Sequence, residues 1–128
     1  MPEFFHDRRL YYTPIEFAVN HIGGTWKMPI LWRLQEKPLR FSELKNDIPH
    51  ISDKMLTSQL RELERKGMIN RVVFPEIPAK VEYSLTSKGK TAIPVIETIM
   101  KFGYALIKAD GIEYPPKEKL SDNVITPE

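Results

Sequence analysis

Apolar residues along the chain recur mostly at helical spacing, with one stretch that alternates instead. The first clear start is Thr13-Pro14-Ile15-Glu16. Thr13 suits an N-cap, Pro14 fits the first helical position, and Glu16 lies where a capping box needs it. Ile15, Ala18, Val19 and Ile22 form that segment's apolar stripe, and Gly23-Gly24 ends it. Thr25 stands where it could cap a second helix, Trp26–Gln35, which is apolar almost all round and so predicts a buried central element. After Lys37-Pro38, Phe41, Leu44 and Ile48 mark a short third helix stopped by Pro49. Ser52 opens a fourth, "SDKMLTSQLRELERKG", which closes at Gly67. Two helices joined by Pro49-His50-Ile51 have the layout of a helix-turn-helix.

The alternating stretch follows at once. "KVEYSLT" places Val81, Tyr83 and Leu85 on one face, "MINRVVF" before it is rich in β-branched residues, and five residues, Pro75–Ala79, join the two as a hairpin. A hairpin directly after a helix-turn-helix is a wing. Thr86 or Ser87 begins the last helical region, where Pro94 predicts a short first piece and a kink. Ile96, Ile99, Met100, Gly103, Leu106 and Ile107 then line a stripe that ends at Asp110-Gly111. The reading is of a mainly α fold with a small β-hairpin. It divides into an irregular, aromatic-rich arm (1–12), a winged-helix domain with its last helix (13–111) and a mobile polar tail (112–128).

Stepping 100° per residue along the fourth helix puts Leu56, Leu60 and Leu63 on one inward seam. Lys54, Ser58, Arg61 and Arg65 fall opposite, with Thr57 on the shoulder, and Glu62 and Glu64 lie off the centre line. A merely solvated face would mix acids into its middle. A helix fits the major groove of DNA and reads base edges from its N-terminal turns. Lys54, Thr57, Ser58 and Arg61 are therefore the candidate base readers. Arg65, Ser52, Arg40, Lys45, Arg71 and Lys80 are the candidates for phosphate contacts.

Charge adds modest weight. The chain carries +2 overall, but Lys37–Lys90 holds eleven bases against seven acids. The 41% of apolar residues suffices for one core, and no run is long enough to span a membrane. The first residues lack the apolar core of a secretory signal, so the expected location is the cytoplasm. There is no cysteine, which removes disulfides, thiol nucleophiles and thiolate metal sites. His6, His21 and His50 are scattered, and no catalytic constellation is legible, so neither a metal, a cofactor nor an enzyme activity is expected.

The segments "HIGGTWKMPILWRL", "RFSELKNDIPHISDKMLTSQLRELERKGMINR" and "EIPAKVEYSLTSKGK" resemble, in that order, the HxlR-type winged-helix transcriptional regulators, relatives of the MarR group. The resemblance covers about Thr13–Ala109. It implies a homodimer that binds double-stranded DNA at an inverted repeat, with the terminal helices forming the dimer interface. Ile15, Val19, Ile96, Ile99, Met100, Gly103, Leu106 and Ile107 are the interface candidates. Two departures stand out. Many members carry a sensing cysteine just before the proline of the first helix, where this chain has Thr13. The basic wing residue, often arginine, is Lys80 here, a point charge without arginine's planar fork.

Two further alternatives remain open at this stage. The aromatics Phe4, Phe5, Tyr11, Tyr12 and Phe17 suit either a pocket for a small-molecule effector at the dimer interface or an arm laid across the partner's helix. The winged helix itself could instead serve as a protein-interaction or assembly module, its basic face only solvated.

Overall fold

The computed structural model describes residues 1–117. A short N-terminal hairpin, β1 (Phe4–His6) and β2 (Arg9–Tyr11), precedes four helices: α1 (Pro14–Ile22), α2 (Lys27–Arg33), α3 (Phe41–Asp47) and α4 (Asp53–Arg65). The wing strands β3 (Ile69–Phe74) and β4 (Lys80–Leu85) follow, then α5 (Ser87–Lys90) and α6 (Ile93–Ala109). This is a winged helix-turn-helix. The expected mobility of the C-terminal tail falls, from residue 118 on, outside the described residues. Before that point the chain folds back, with the Ile112 N–H donating to the Ile107 carbonyl (3.0 Å) and the Tyr114 ring 5.7 Å from that of Tyr104.

The core forms where the periodicity places it. Leu56, Leu60 and Leu63 of α4 meet Ile30 and Leu31 of α2 and Leu44 of α3, all essentially without solvent contact. Full burial of one such side chain is worth about 1.5–3 kcal/mol, so this inward seam fixes which side of α4 faces water.

Local chemistry sets the element ends. Thr13 and Glu16 make the reciprocal capping box, with Glu16 N–H to Thr13 Oγ1 at 3.3 Å and Thr13 N–H to Glu16 Oε1 at 2.8 Å. Ser52 Oγ accepts the Met55 N–H (3.0 Å) at the start of α4. Thr25, by contrast, caps nothing. The residue before α2 is Trp26, without a side-chain cap, and the helix is shorter than the apolar run predicted. At the far end of α4, Gly67 adopts φ +75°, and the Met68 N–H returns to the Leu63 carbonyl (2.9 Å). An L-residue forced into that region pays about 1–2 kcal/mol, so Gly67→Ala is expected to lower unfolding stability by that amount in a urea titration. An unchanged midpoint would reject the left-handed terminus.

The wing pairs in the expected register, from Ile69 opposite Leu85 to Phe74 opposite Lys80, with Pro75–Ala79 as the tip. It has an unforeseen third member. Leu39, just before α3, exchanges both backbone hydrogen bonds with Tyr83 (2.9 and 2.8 Å), tying the wing's base to the helix-turn-helix. Pro94 sits in the first turn of α6, so the expected kink is a break between α5 and α6. Gly89 in α5 lies against the residue just before β3: a Cβ there would sit 2.0 Å from the Met68 carbonyl oxygen, which only glycine avoids.

The N-terminal arm is not irregular. Asp7 and Arg8, at φ 49° and 63°, make a two-residue turn of the type that closes tight hairpins. The hairpin packs on its own chain. Phe17 of α1 receives the edges or faces of Phe4, His6, Tyr11 and His21, at centroid distances of 4.8 to 5.5 Å. Tyr11 is only 5% exposed, so its ring is a structural anchor, whereas Tyr12 points to solvent.

Candidate nucleic-acid interface

The outer side of α4 is an open trough lined by Lys54, Thr57, Ser58, Arg61 and Arg65, with Asp53 and Glu62 on its rim. All four base-reading candidates therefore share one surface, and Arg65 continues it toward the helix end. Lys54, Ser58 and Arg61 are exposed, and Thr57 is half-buried on the shoulder. Among the described residues, neither Lys54, Arg61 nor Arg65 forms an ion pair.

The two rim carboxylates are already matched. Lys45 of α3 reaches Asp53 (3.1 Å) and also donates to the Ile51 carbonyl, pinning the turn between the two motif helices. Lys27 of α2, 7% exposed, bonds Gln59 Oε1 (3.0 Å) and pairs with Glu62 (3.3 Å). With both acids engaged from behind, the cations in front are left uncompensated, which is the arrangement an anionic groove requires. The role of Lys27 had no signal in the periodicity, where it appears as one cation in an apolar run. Its partners lie 32 and 35 positions along the chain.

The phosphate candidates divide. Ser52 spends its oxygen on the helix cap, accepting the Met55 N–H. Lys45 is occupied in holding the turn. Arg40 is exposed at the start of α3, where its backbone N–H donates to Glu43 Oε1 (2.9 Å). Arg71 on β3 lines a hollow shared with Thr57, Arg61 and Glu64, so the wing's base adjoins the outer face of α4. Lys80 is half-buried, 5.1 Å above the Phe74 ring and 3.9 Å from Glu82, and its charge is partly satisfied.

The interface candidates divide too. Ile15 and Val19 of α1 are exposed on one side. On α6 the predicted stripe straddles two seams. Ile96 is 5% exposed and belongs to the protomer's own core, with Met100 half-buried beside it against Met28 and Trp32. Gly103 and Ile107 continue that inward side, half-exposed. The outward seam is Val95, Ile99, Phe102 and Leu106, about 100° round the helix. Ile99 and Leu106 are thus on the water side, Ile96 lies in the protomer's own core, and Val95 and Phe102, outside the predicted stripe, share the outward seam.

The family model described as HxlR-like helix-turn-helix matches residues 21–110. The chain belongs to the HxlR-like family. Over 93 residues it is 50% identical to an uncharacterized HTH-type transcriptional regulator of Methanothermobacter thermautotrophicus, covering 73% of this chain and 71% of that one. It is 45% identical to the uncharacterized HTH-type transcriptional regulator YdzF of Bacillus subtilis over 72% of this chain and 85% of YdzF. Among solved structures, the redox regulator HypR in its reduced form superposes with a TM-score of 0.74 at 37% identity, over 77% of this chain and 98% of HypR. Membership places this HxlR-like chain among DNA-binding transcriptional regulators, and its relatives carry regulatory rather than enzymatic names. Having no cysteine, it has no thiol with which to respond to oxidants. Among the described residues, no helix is long and apolar enough to cross a membrane.

Proposed function

We propose that this HxlR-like regulator binds an inverted-repeat DNA operator as a homodimer, each copy laying α4 in a major groove. The observation that carries the reading is the outer face of α4: Lys54, Thr57, Ser58 and Arg61 share one open surface whose two rim acids, Asp53 and Glu62, are each paired with a lysine of another helix. Lys54, Thr57 and Ser58 lie in the first two turns and would meet base edges. Arg61 would fork onto a guanine, and Arg65, Arg40 and Arg71 would meet the flanking phosphates. The two-fold arrangement is supported by the unpartnered apolar seam of α6 with Ile15 and Val19 of α1. Together these leave large apolar side chains in water that a second copy could cover.

A salt titration tests this. Binding to mixed-sequence duplex DNA is expected to weaken linearly on a log–log plot, by about 0.9 per phosphate neutralised. An assembly module with a solvated helix face would give no measurable binding. Within that experiment, Arg71→Ala is expected to weaken all duplexes alike and reduce the slope by about one. Lys80→Ala is expected to change it less, because Glu82 and Phe74 already engage the ammonium. Equal effects of the two variants would count against the placement of the wing.

A further inference from the structure

We propose that the cavity between α1 and the α5–α6 junction binds a small apolar carboxylate, with Lys88 as its counter-ion. The cavity, about 250 Å³, is walled by Phe17, Ala18, Ile22, Met68 and Val95, and Lys88 is the one lysine or arginine that lines it among the described residues. Beside it lies a second, polar hollow of about 170 Å³ that shares Phe17, His21 and Lys88 with the first. The cations there outnumber the acids: Arg65, Lys66 and Lys88 line it against the single carboxylate of Asp7. An apolar lobe opening beside a cationic one matches a molecule with a hydrocarbon body and one negative end. A neutral apolar compound would leave the cations unanswered, and an inorganic anion would leave the apolar wall in water.

The cationic side lacks its complement among the described residues. Neither Lys66, Lys88 nor Arg65 forms an ion pair there. The Lys66 amine donates to Asn20 Oδ1 and the Lys88 amine to the Lys66 carbonyl (2.8 Å), both neutral acceptors. Burial, and then the adjacent Arg65 guanidinium, hold the Lys66 amine below its ordinary pKa. An incoming carboxylate would relieve that repulsion.

The position gives an occupant leverage. Lys66 caps the C-terminus of α4, and the bond from Lys88 ties α5 to that end of the helix. A carboxylate that draws the Lys88 amine into the cavity competes directly with that tie. Arg65 belongs both to the polar hollow and to the outer face of α4, and Val95 both to the apolar lobe and to the outward seam of α6.

The test is calorimetric titration of the full chain, without DNA, so its outcome stands apart from the operator reading. The probes are cyclohexanecarboxylate, its neutral amide cyclohexanecarboxamide, and acetate. The acid is expected to bind at least tenfold more tightly than the amide, and acetate is expected to give no heat. Lys88→Gln should bring acid and amide to similar affinity. Ala18→Leu, at an exposed position whose longer side chain would fill the apolar lobe, should weaken both. No binding of the acid at millimolar concentration, equal binding of acid and amide to the unsubstituted protein, or a preference unchanged by Lys88→Gln would each overturn the proposal.

Discussion

Replacing Ile99 and Phe102 together by glutamate is expected to convert the protein from a particle of twice 14.9 kDa into one of 14.9 kDa, with little loss of fold. Both side chains lie on the outward seam of α6, 43% and 63% exposed, so the new carboxylates meet water in the protomer. In a two-fold pair the same positions face their symmetry mates. Four carboxylates would then be taken out of water beside one another, a desolvation and repulsion cost that apolar contacts do not compensate. Operator affinity should fall with assembly. Linking two half-site readers makes the second contact intramolecular, an advantage of about 10²–10⁴-fold that the monomer forgoes. Sedimentation and DNA titration of the double variant check the two effects separately. A variant that remains dimeric would move the interface elsewhere. A protein that was monomeric before substitution would remove it altogether.

Arg61→Ala is expected to weaken operator binding by about 1–3 kcal/mol, roughly five- to 160-fold, and to relax selection at one base pair per half-site. Arg61 is exposed and without an ion-pair partner among the described residues, so its loss leaves the fold intact. A guanidinium that forks onto a guanine edge discriminates between bases, whereas one resting on phosphate does not. The measurement is therefore affinity against a panel of single base-pair variants. A uniform loss across the panel would demote Arg61 to a phosphate contact and rotate the assumed docking of α4.

The α4 face was legible because one helix carries both halves of the signal. Leu56, Leu60 and Leu63 leave no choice about which side is inward, and the opposite side follows by rotation alone. On α6 rotation alone does not choose the inward side, for a physical reason. Ile93–Ala109 is apolar on two adjacent seams, and periodicity cannot say which packs on α2 and which meets water. That choice is made by where α2 sits, so Ile96 went to the core while Val95 and Phe102 emerged outside. The N-terminal hairpin was hidden differently. Its turn, Asp7-Arg8, reaches left-handed backbone without glycine or asparagine, and three-residue strands are too short to display alternation. The support behind the α4 face was hidden by distance along the chain, since Lys27 acquires meaning only when Gln59 and Glu62 arrive beside it.

The convergence of His6 and His21 on Phe17 has the same origin. Fifteen residues apart, both rings pack on Phe17, His21 as its neighbour one turn along α1 and His6 because the hairpin folds onto that helix. Tyr11 belongs to that packing as well, which removes it as a clean probe of ligand response.

Recovering bound duplexes from a random pool by repeated selection would put the central claim at greatest risk. The recovered duplexes are expected to share a two-fold symmetric consensus, with half-site centres one helical turn, about 10–10.5 base pairs, or a multiple of it apart. The Arg61→Ala protein should recover the same sites with one position per half left unspecified. A pool without a shared sequence, or a consensus lacking symmetry, would contradict that claim.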